Sequence, residues 1–160
     1  MKEHDNLIIL RTLSKGYSLA GLRFGYGLAD QSLIAPMLHK TRDSYNLDLI
    51  SQRVAEAAIA DQDHVRANAK KVILERDRLR AELQVLGIYC ADSQANFLLA
   101  TIPDTIKFSA AELYQKLKDR HVLVRYFNAQ RLDNKLRVSI GTGEENDQLL
   151  STLVDILKQS

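Results

Sequence analysis

The sequence has few residues that form covalent cross-links or interrupt helices and strands. Among 160 residues it has one cysteine, two prolines and no tryptophan. The single cysteine, Cys90, excludes an internal disulfide framework, and no histidine or cysteine lies beside it at metal-ligand spacing. No apolar run approaches the roughly 18 residues that span a bilayer, and residues 1–10 lack an apolar secretory segment. We therefore expect a cytoplasmic protein with no membrane contact and no metal site.

The sequence also lacks an excess of either charge. It has 22 basic and 20 acidic residues, which leaves a net charge of +2. Nucleic acids and anionic membranes attract strongly basic proteins, so the composition argues against both partners. The apolar fraction of 46% and the charged fraction of 26% are typical of one or two folded domains with a real core.

The first part of the chain predicts two strands followed by helices. Residues 6–10 and 22–29 read as short buried strands, and helical periodicity begins at Gln31. A longer helix is predicted over 62–86, where apolar positions recur every three, four or seven residues and Gly87 offers a left-handed cap. Before it, residues 47–60 have the helical period, with one apolar side formed by Ile50, Val54, Ala57 and Ala58.

The second part predicts a small α/β domain. Its helices, over 110–119 and 144–158, begin with capping boxes, because Ser109 precedes Glu112 and Thr142 precedes Glu145 at the required spacing. Three segments read as strands: 88–102, 122–127 and 135–141. We thus expect three parts: residues 1–61, a connecting helix at 62–87 and a small domain at 88–160.

One loop between the first two strands carries candidate chemistry. A lysine that attacks an aldehyde is activated by a nearby cation or a pocket of low dielectric, and Lys15 lies among small and polar residues. Singly, each of these groups also suits a solvated loop or a turn. As a set they are able to hold a phosphorylated aldehyde: hydroxyls of Thr12 and Ser14, backbone access at Gly16 and Gly21, and the guanidinium of Arg23.

The stretch "SKGYSLAGLRFGYG" resembles the lysine motif of fold-type I aminotransferases, which use pyridoxal 5′-phosphate. The longer "NLIILRTLSKGYSLAGLRFGYGLA", with "SYNLDLISQ", "SQANFLLA", "VLVRYF" and "LRVSIGT", is most similar to the histidinol-phosphate aminotransferase branch. The resemblance runs from about Asn6 to the C-terminus. It implies the C-terminal part of an α/β fold-type I transferase: a remnant of the large-domain sheet, a long connecting helix and a small α/β domain.

The resemblance also implies roles for individual residues. Lys15 would bond to the cofactor aldehyde and move the proton at the substrate α-carbon, whereas Thr12, Ser14 and Arg23 match the positions that grip the cofactor phosphate. Arg137 matches an arginine that binds the anionic end of the substrate. The remaining matches are Arg125, associated with the phosphate of histidinol phosphate, and Asn46 and Asn96, which line or adjoin the site.

Simpler interpretations of these matches stay open. Arg125 and Arg137 also suit strand-edge charges paired with a local carboxylate such as Asp133, and each asparagine suits a turn or a strand entry.

The implied reaction is transfer of an amino group between glutamate and imidazole-acetol phosphate, in two half-reactions, by a homodimer. Relatives in this family are about twice as long, and their first half supplies the acidic partner of the pyridine nitrogen, a ring-stacking aromatic and a glycine-containing phosphate loop. We find none of these here and expect a fragment that is inactive alone and leaves Lys15 without cofactor.

Two alternatives remain from the sequence. The lysine motif is shared across the superfamily, so an aromatic aminotransferase or a phosphothreonine decarboxylase also fits, and only Arg125 favours a phosphorylated substrate. A noncatalytic module is the second, in which the helix over 62–86 pairs with another helix or a nucleic acid. The acidic residues mixed into "KKVILERDRLR" explain that helix equally well as a solvated face.

Overall fold

The computed structural model describes residues 4–158, so the outermost residues of the predicted segments 1–61 and 88–160 lie outside it. The chain divides into an N-terminal unit, Met1–Ala69, and a C-terminal unit, Lys70–Ser160. The N-terminal unit contains β1 (Ile8–Thr12), a 3₁₀ turn (Ala20–Leu22), β2 (Gly25–Ala29), α1 (Gln31–Pro36), a π-helical turn (Met37–Thr41) and α2 (Leu49–Ala60). Helix α3 (Gln62–Val85) begins there and continues into the C-terminal unit, which adds β3 (Tyr89–Cys90), β4 (Phe97–Thr101), α4 (Ala110–Asp119), β5 (Arg125–Tyr126), β6 (Lys135–Ser139) and α5 (Gly143–Lys158).

Strands β1 and β2 form an antiparallel hairpin in which Thr12 pairs with Gly25. A Cβ at Gly25 would lie 2.9 Å from the carbonyl oxygen of Arg11, so only glycine allows the two backbones to approach this closely. The predicted burial of these strands is wrong, because Leu10 is 79% and Leu28 is 47% exposed. The physical reason is that a two-stranded ribbon has two faces and too little area to cover either.

Helices α1 and α2 each begin at an aspartate that caps free backbone N–H groups. The Asp30 carboxylate accepts from the Ser32 N–H, and the Asp48 carboxylate accepts from both the N–H and the hydroxyl of Ser51. These bonds hold the pKa of both carboxyls below the ordinary value. The predicted apolar side of α2 is not its buried side: Ile50 is 76% exposed, and the buried residues are Ser51 and Ala55.

Helix α3 ends where the sequence predicts. Gly87 has φ +79°, which side chains other than glycine rarely adopt. The N–H of Gly87 donates to the carbonyl of Gln84, and the N–H of Ile88 donates to that of Leu83. This reversal satisfies the last carbonyls of the helix and leads the chain into β3.

The C-terminal unit is built on an antiparallel sheet with strand order β3-β4-β6-β5. Side chains alternate between its faces: Leu98 and Val138 are buried, whereas Phe97 and Arg137 lie on the opposite face. The buried face joins α3, α4 and α5 in one apolar core, which is formed by Leu79, Leu83, Ile88, Cys90, Leu98, Ala100, Ile102, Ala110, Leu113, Leu117, Leu136, Val138, Leu149, Leu153 and Ile156.

Both predicted capping boxes are present. The Ser109 hydroxyl and the Glu112 carboxylate satisfy each other's backbone N–H groups, and Thr142 and Glu145 do the same at α5. The predicted strands are shorter than expected: the segment over 88–102 splits at a turn into β3 and β4, and only two residues of 122–127 pair as β5. The pattern of apolar residues indicates which positions are buried, but the hydrogen bonds between strands cover a shorter stretch than that pattern.

Candidate active site

The lysine loop, residues 12–24, begins at the last residue of β1 and is anchored by one buried side chain. Leu13 is 1% exposed; its N–H donates to Phe24 and its carbonyl accepts from Leu19, which closes the loop on itself. Lys15 lies within a tight turn in which the Ser18 N–H donates to its carbonyl. Whereas the Leu13 side chain is buried, the Lys15 side chain is exposed. Within residues 4–158 the Lys15 amine has no hydrogen-bond or ion-pair partner.

Two hydroxyls meet beside the lysine. The Thr12 hydroxyl donates to Ser14 Oγ at 2.9 Å, and the Ser14 N–H donates back to Thr12 Oγ1 at 3.1 Å. A Cβ at Gly16 or at Gly21 would meet nothing within 4 Å, so the space beside the backbone of these two glycines is open. Hydroxyl donors are suited to an anion, and open glycine backbone allows a ligand to approach closely.

Arg23 ends the 3₁₀ turn in the left-handed region, with φ 55°. This conformation costs conformational energy for a residue with a Cβ, and Ser18 in the same loop adopts it as well, with φ 56°. The guanidinium Nη1 donates to the Ala20 carbonyl at 2.9 Å, which occupies one terminal nitrogen of the guanidinium while the residue stays exposed. Thr12, Ser14, Lys15 and Arg23 thus share one loop, and among these four only the side chains of Thr12 and Ser14 are hydrogen-bonded to each other.

Asn46 lies in the connection before α2 and is exposed. In the part of the chain that the structure describes, its side chain makes no hydrogen bond, and its neighbour Tyr45 is 96% exposed. The structure therefore puts Asn46 in the same unit as Lys15 without joining it to the lysine loop.

Arg125 and Arg137 face each other across neighbouring strands. They are directly paired in the β5–β6 register and lie on the face of the sheet that is turned away from the core. Both guanidiniums lie over the ring of Phe127, at 5.3 Å and 5.6 Å from its centre, and Arg137 also lies 5.5 Å from the ring of Phe97. Stacking on the aromatic rings offsets part of the repulsion between like charges.

Neither arginine forms a salt bridge within residues 4–158, so the expected alternative of a carboxylate partner such as Asp133 is not realised. Two exposed guanidiniums on one aromatic floor can bind one dianion.

Asn96 is exposed at the entrance of β4, where its carbonyl accepts from the Ile140 N–H.

The sequence analysis does not predict the two phenylalanines that contact the arginine pair. Phe127 follows Arg125 by two positions, and Phe97 precedes Leu99, the residue that pairs with Arg137. The alternation of a strand would have put Phe127 on the face of Arg125, but the pairing partner of each strand is not written in the sequence.

The remaining candidates carry no chemistry of their own. Burial raises the pKa of the Cys90 thiol to about 11, which keeps the thiol protonated. No group of three histidine, cysteine or acidic residues within residues 4–158 is arranged to hold a metal ion. None of the helices in that range is long and apolar enough to cross a bilayer.

Comparison with known proteins identifies the relatives. Residues 1–153 match the family described as Aminotransferase class I and II. The chain is 47% identical over 158 residues to histidinol-phosphate aminotransferase 1 of Nostoc sp., covering 99% of this chain, and 48% identical over 157 residues to the histidinol-phosphate aminotransferase of Microcystis aeruginosa, covering 98%. It spans 44% of the length of each of these relatives.

The fold has solved relatives as well. The crystal structure of histidinol-phosphate aminotransferase from Sinorhizobium meliloti in complex with pyridoxal-5′-phosphate matches with a TM-score of 0.83 and 28% identity. The match covers 97% of this chain and 42% of that one. The expected fold class, part of a fold-type I transferase, is therefore confirmed.

Proposed function

We propose that this chain, which belongs to the aminotransferase class I and II family, carries the lysine and the substrate arginines of a histidinol-phosphate aminotransferase. The reaction would exchange an amino group between glutamate and 2-oxoglutarate on one side and histidinol phosphate and imidazole-acetol phosphate on the other. The observation that carries the proposal is the lysine loop, with an exposed Lys15 beside the Thr12–Ser14 hydroxyl pair. The names of the Nostoc and Microcystis relatives support the choice of substrate.

The lysine loop supplies part of the donor set that holds a phosphate-bearing aldehyde. Thr12, Ser14 and Arg23 would hold the phosphate of pyridoxal 5′-phosphate, and Lys15 Nζ would hold its aldehyde carbon. When bound, that cofactor supplies an electron sink for the pair left at the substrate α-carbon. The solved Sinorhizobium relative, which contains the cofactor, supports this assignment.

Lys15 would also move the proton. In its neutral form the Nζ amine accepts the proton released from the substrate α-carbon, and in its protonated form it delivers one. A single exposed amine on a braced turn suits both steps, because the buried Leu13 keeps the backbone still while the side chain remains free. The same residue then serves the two half-reactions in opposite directions.

Arg125 and Arg137 would recognise the substrate. Their pairing across β5 and β6 presents two permanent positive charges on one face, and the phosphate monoester of histidinol phosphate carries up to two negative charges. We assign Arg125 to the phosphate of histidinol phosphate and Arg137 to the anionic end of each substrate, which is that same phosphate in histidinol phosphate and a carboxylate in glutamate. The rings of Phe127 and Phe97 limit the rotation of the guanidiniums and keep them directed to the same side.

The rival assignments have less support. An aromatic substrate leaves the second arginine without a charge to bind. A noncatalytic role of α3 is not favoured, since Arg78 bonds to Glu75 and Asp147 and Arg80 pairs with Asp92, so these cations are already neutralised. Assembly as a homodimer and a cytoplasmic location remain part of the proposal.

A chimera tests the function. The aligned residues of this chain replace the matching 44% of the Nostoc enzyme, and amino transfer from histidinol phosphate to 2-oxoglutarate is assayed. We expect turnover that Lys15→Ala abolishes. Arg125→Gln should raise KM for histidinol phosphate more than KM for an unphosphorylated amino donor. Equal activity of the chimera and its Lys15→Ala variant would contradict the proposal.

A further inference from the structure

A buried amide joins the end of β6 to helix α3. Asn146, in the first turn of α5, is 2% exposed. Its Nδ2 donates to Glu75 Oε2 at 2.8 Å and to the Gly141 carbonyl at 3.2 Å, while its Oδ1 accepts from the Gly141 N–H at 3.1 Å. The Asn146 amide therefore bonds to both backbone groups of one residue in the turn that follows β6 and connects that turn to α3.

Glu75 is itself fixed in place. Arg78 donates to Glu75 Oε2 from Nη2 at 2.8 Å, to Asp147 from Nη1 at 2.7 Å and to the Gly143 carbonyl from Nη2 at 3.3 Å. The bonds from Arg78 and Asn146 hold the pKa of Glu75 below its ordinary value, so the acceptor stays ionised. Helix α3 thus holds the turn after β6 through the Glu75 carboxylate, which accepts from the Asn146 amide bonded to that turn.

The turn after β6 is packed closely against the Glu145 side chain. A Cβ at Gly141 would lie 2.6 Å from Glu145 Oε2 and 2.9 Å from Glu145 Cβ. Glu145 is in turn held by the N–H of Thr142. Only glycine fits at this position, and the strand leading to it ends at a defined point.

The same turn of α3 also contacts the entrance of β4. Arg76, which is 7% exposed, directs Nη1 to the Ala95 carbonyl at 3.5 Å. The next residue, Asn96, accepts from the Ile140 N–H at 2.9 Å. The paired residues Phe97 and Ser139 therefore lie at the end of the sheet that α3 holds.

We propose that Asn146, acting through Gly141 and Glu75, is a positioning residue for Arg137. By fixing the end of β6 against α3, it sets how Arg137 lies over the rings of Phe97 and Phe127. Asn146 touches neither the arginine nor a ligand. The proposal rests on the proposed function only in giving Arg137 an anion to bind.

The test uses the 160-residue chain and two NMR readouts. The first is the Arg137 Nε–H resonance, which the two aromatic rings shift; the second is a titration with inorganic phosphate. We expect Asn146→Ala to remove more than half of that ring-induced shift and to weaken phosphate binding about tenfold, the effect of one buried hydrogen bond. The matched control is Asn134→Ala, an exposed residue at the other end of β6 whose side chain bonds to Lys135. It should change neither readout.

Two further variants keep the test decisive. If Asn146→Ala does not fold, Glu75→Ala replaces it, because it leaves both Asn146–Gly141 bonds intact and should shift the Arg137 resonance in the same direction. Reversing the polarity of the bond, with Glu75→Gln and Asn146→Asp together, should restore more of the ring-induced shift than Asn146→Asp alone retains.

An Arg137 resonance that is unchanged in the folded variant overturns the proposal. Failure of the unaltered chain to bind phosphate, with an Arg137 resonance that still depends on Asn146, would instead contradict the anion site of the proposed function and leave the positioning role supported.

Discussion

The two units of this chain differ in how they are stabilised. In the C-terminal unit, the sheet and three helices share one continuous apolar core. In the described part of the N-terminal unit, only Leu13, Ser51 and Ala55 are buried, and the hairpin exposes large apolar side chains such as Leu10. The comparison teaches that the two candidate sites rest on different supports. The arginine pair lies on a sheet with its own core, whereas the lysine loop is held chiefly by its own backbone bonds and one anchoring leucine.

The largest expected effect is on the catalytic role proposed for Lys15 in the N-terminal unit, and it differs in kind from the effect on the binding role proposed for Arg137 in the C-terminal unit. In the chimera with the Nostoc enzyme, Lys15→Ala should lower kcat by about 10³-fold or more, since it removes both the covalent anchor and the proton carrier. Arg137→Gln should act mainly on KM. Steady-state kinetics in both substrates measure the difference. The matched variant Lys15→Arg keeps the charge and should be as inactive as Lys15→Ala; an active Lys15→Arg variant would show that charge alone suffices.

A pair of leucines tests the difference in packing. Leu98 is fully buried and Leu10 is 79% exposed, so the same truncation to alanine samples both units. Leu98→Ala should reduce the free energy of unfolding of the C-terminal unit by about 2–5 kcal/mol, and Leu10→Ala should change stability by less than about 0.5 kcal/mol. Urea denaturation of each variant measures both values. Equal losses would mean that the hairpin is packed as tightly as the sheet.

Hydrogen exchange sharpens the comparison without mutation. Amides of β4 and β6 should exchange only through global opening of their unit, because both strands lie between paired neighbours and over the core. Amides of the β1–β2 hairpin should exchange faster by orders of magnitude, since local opening exposes little additional apolar surface. Mass spectrometry of peptides resolves the two regions. Slow exchange throughout the hairpin would contradict the difference in support.

The smallest expected effect is a pH dependence within the C-terminal unit. Hydrogen bonds from the Ser109 backbone and hydroxyl lower the pKa of Glu112 below its ordinary 4.5. A carboxyl whose pKa is depressed on folding stabilises the fold above the unfolded pKa, and that contribution is lost as pH falls through the folded pKa. Thermal melts at falling pH should therefore lose stability less steeply in Glu112→Gln than in the unaltered chain. Parallel curves would contradict an ionised capping carboxylate.

The sequence predicts best where one local signal decides the structure. The end of α3 at Gly87 and the capping boxes at Ser109 and Thr142 depend on neighbours within a few residues, and each forms as expected. Burial of the hairpin depends on what covers its faces, which no residue in the hairpin specifies. For the same reason α2 buries Ser51 instead of the apolar row that includes Ile50.

The candidate sites divide in the same way. The lysine motif is contiguous, so the sequence alone proposes its residues, and the structure adds the Thr12–Ser14 contact and the strained backbone of Arg23. The arginine pair depends on the register between β5 and β6, and neither its aromatic floor nor its link to α3 through Asn146 follows from spacing.

The position of covalently trapped cofactor decides whether Lys15 is the cofactor lysine. The chimera is mixed with pyridoxal 5′-phosphate, reduced with borohydride, digested and mapped by mass spectrometry. We expect a single labelled site, Lys15, and no label at that peptide in Lys15→Ala. A label on another lysine, with Lys15 unmodified, would contradict the assignment of the lysine loop as the cofactor site.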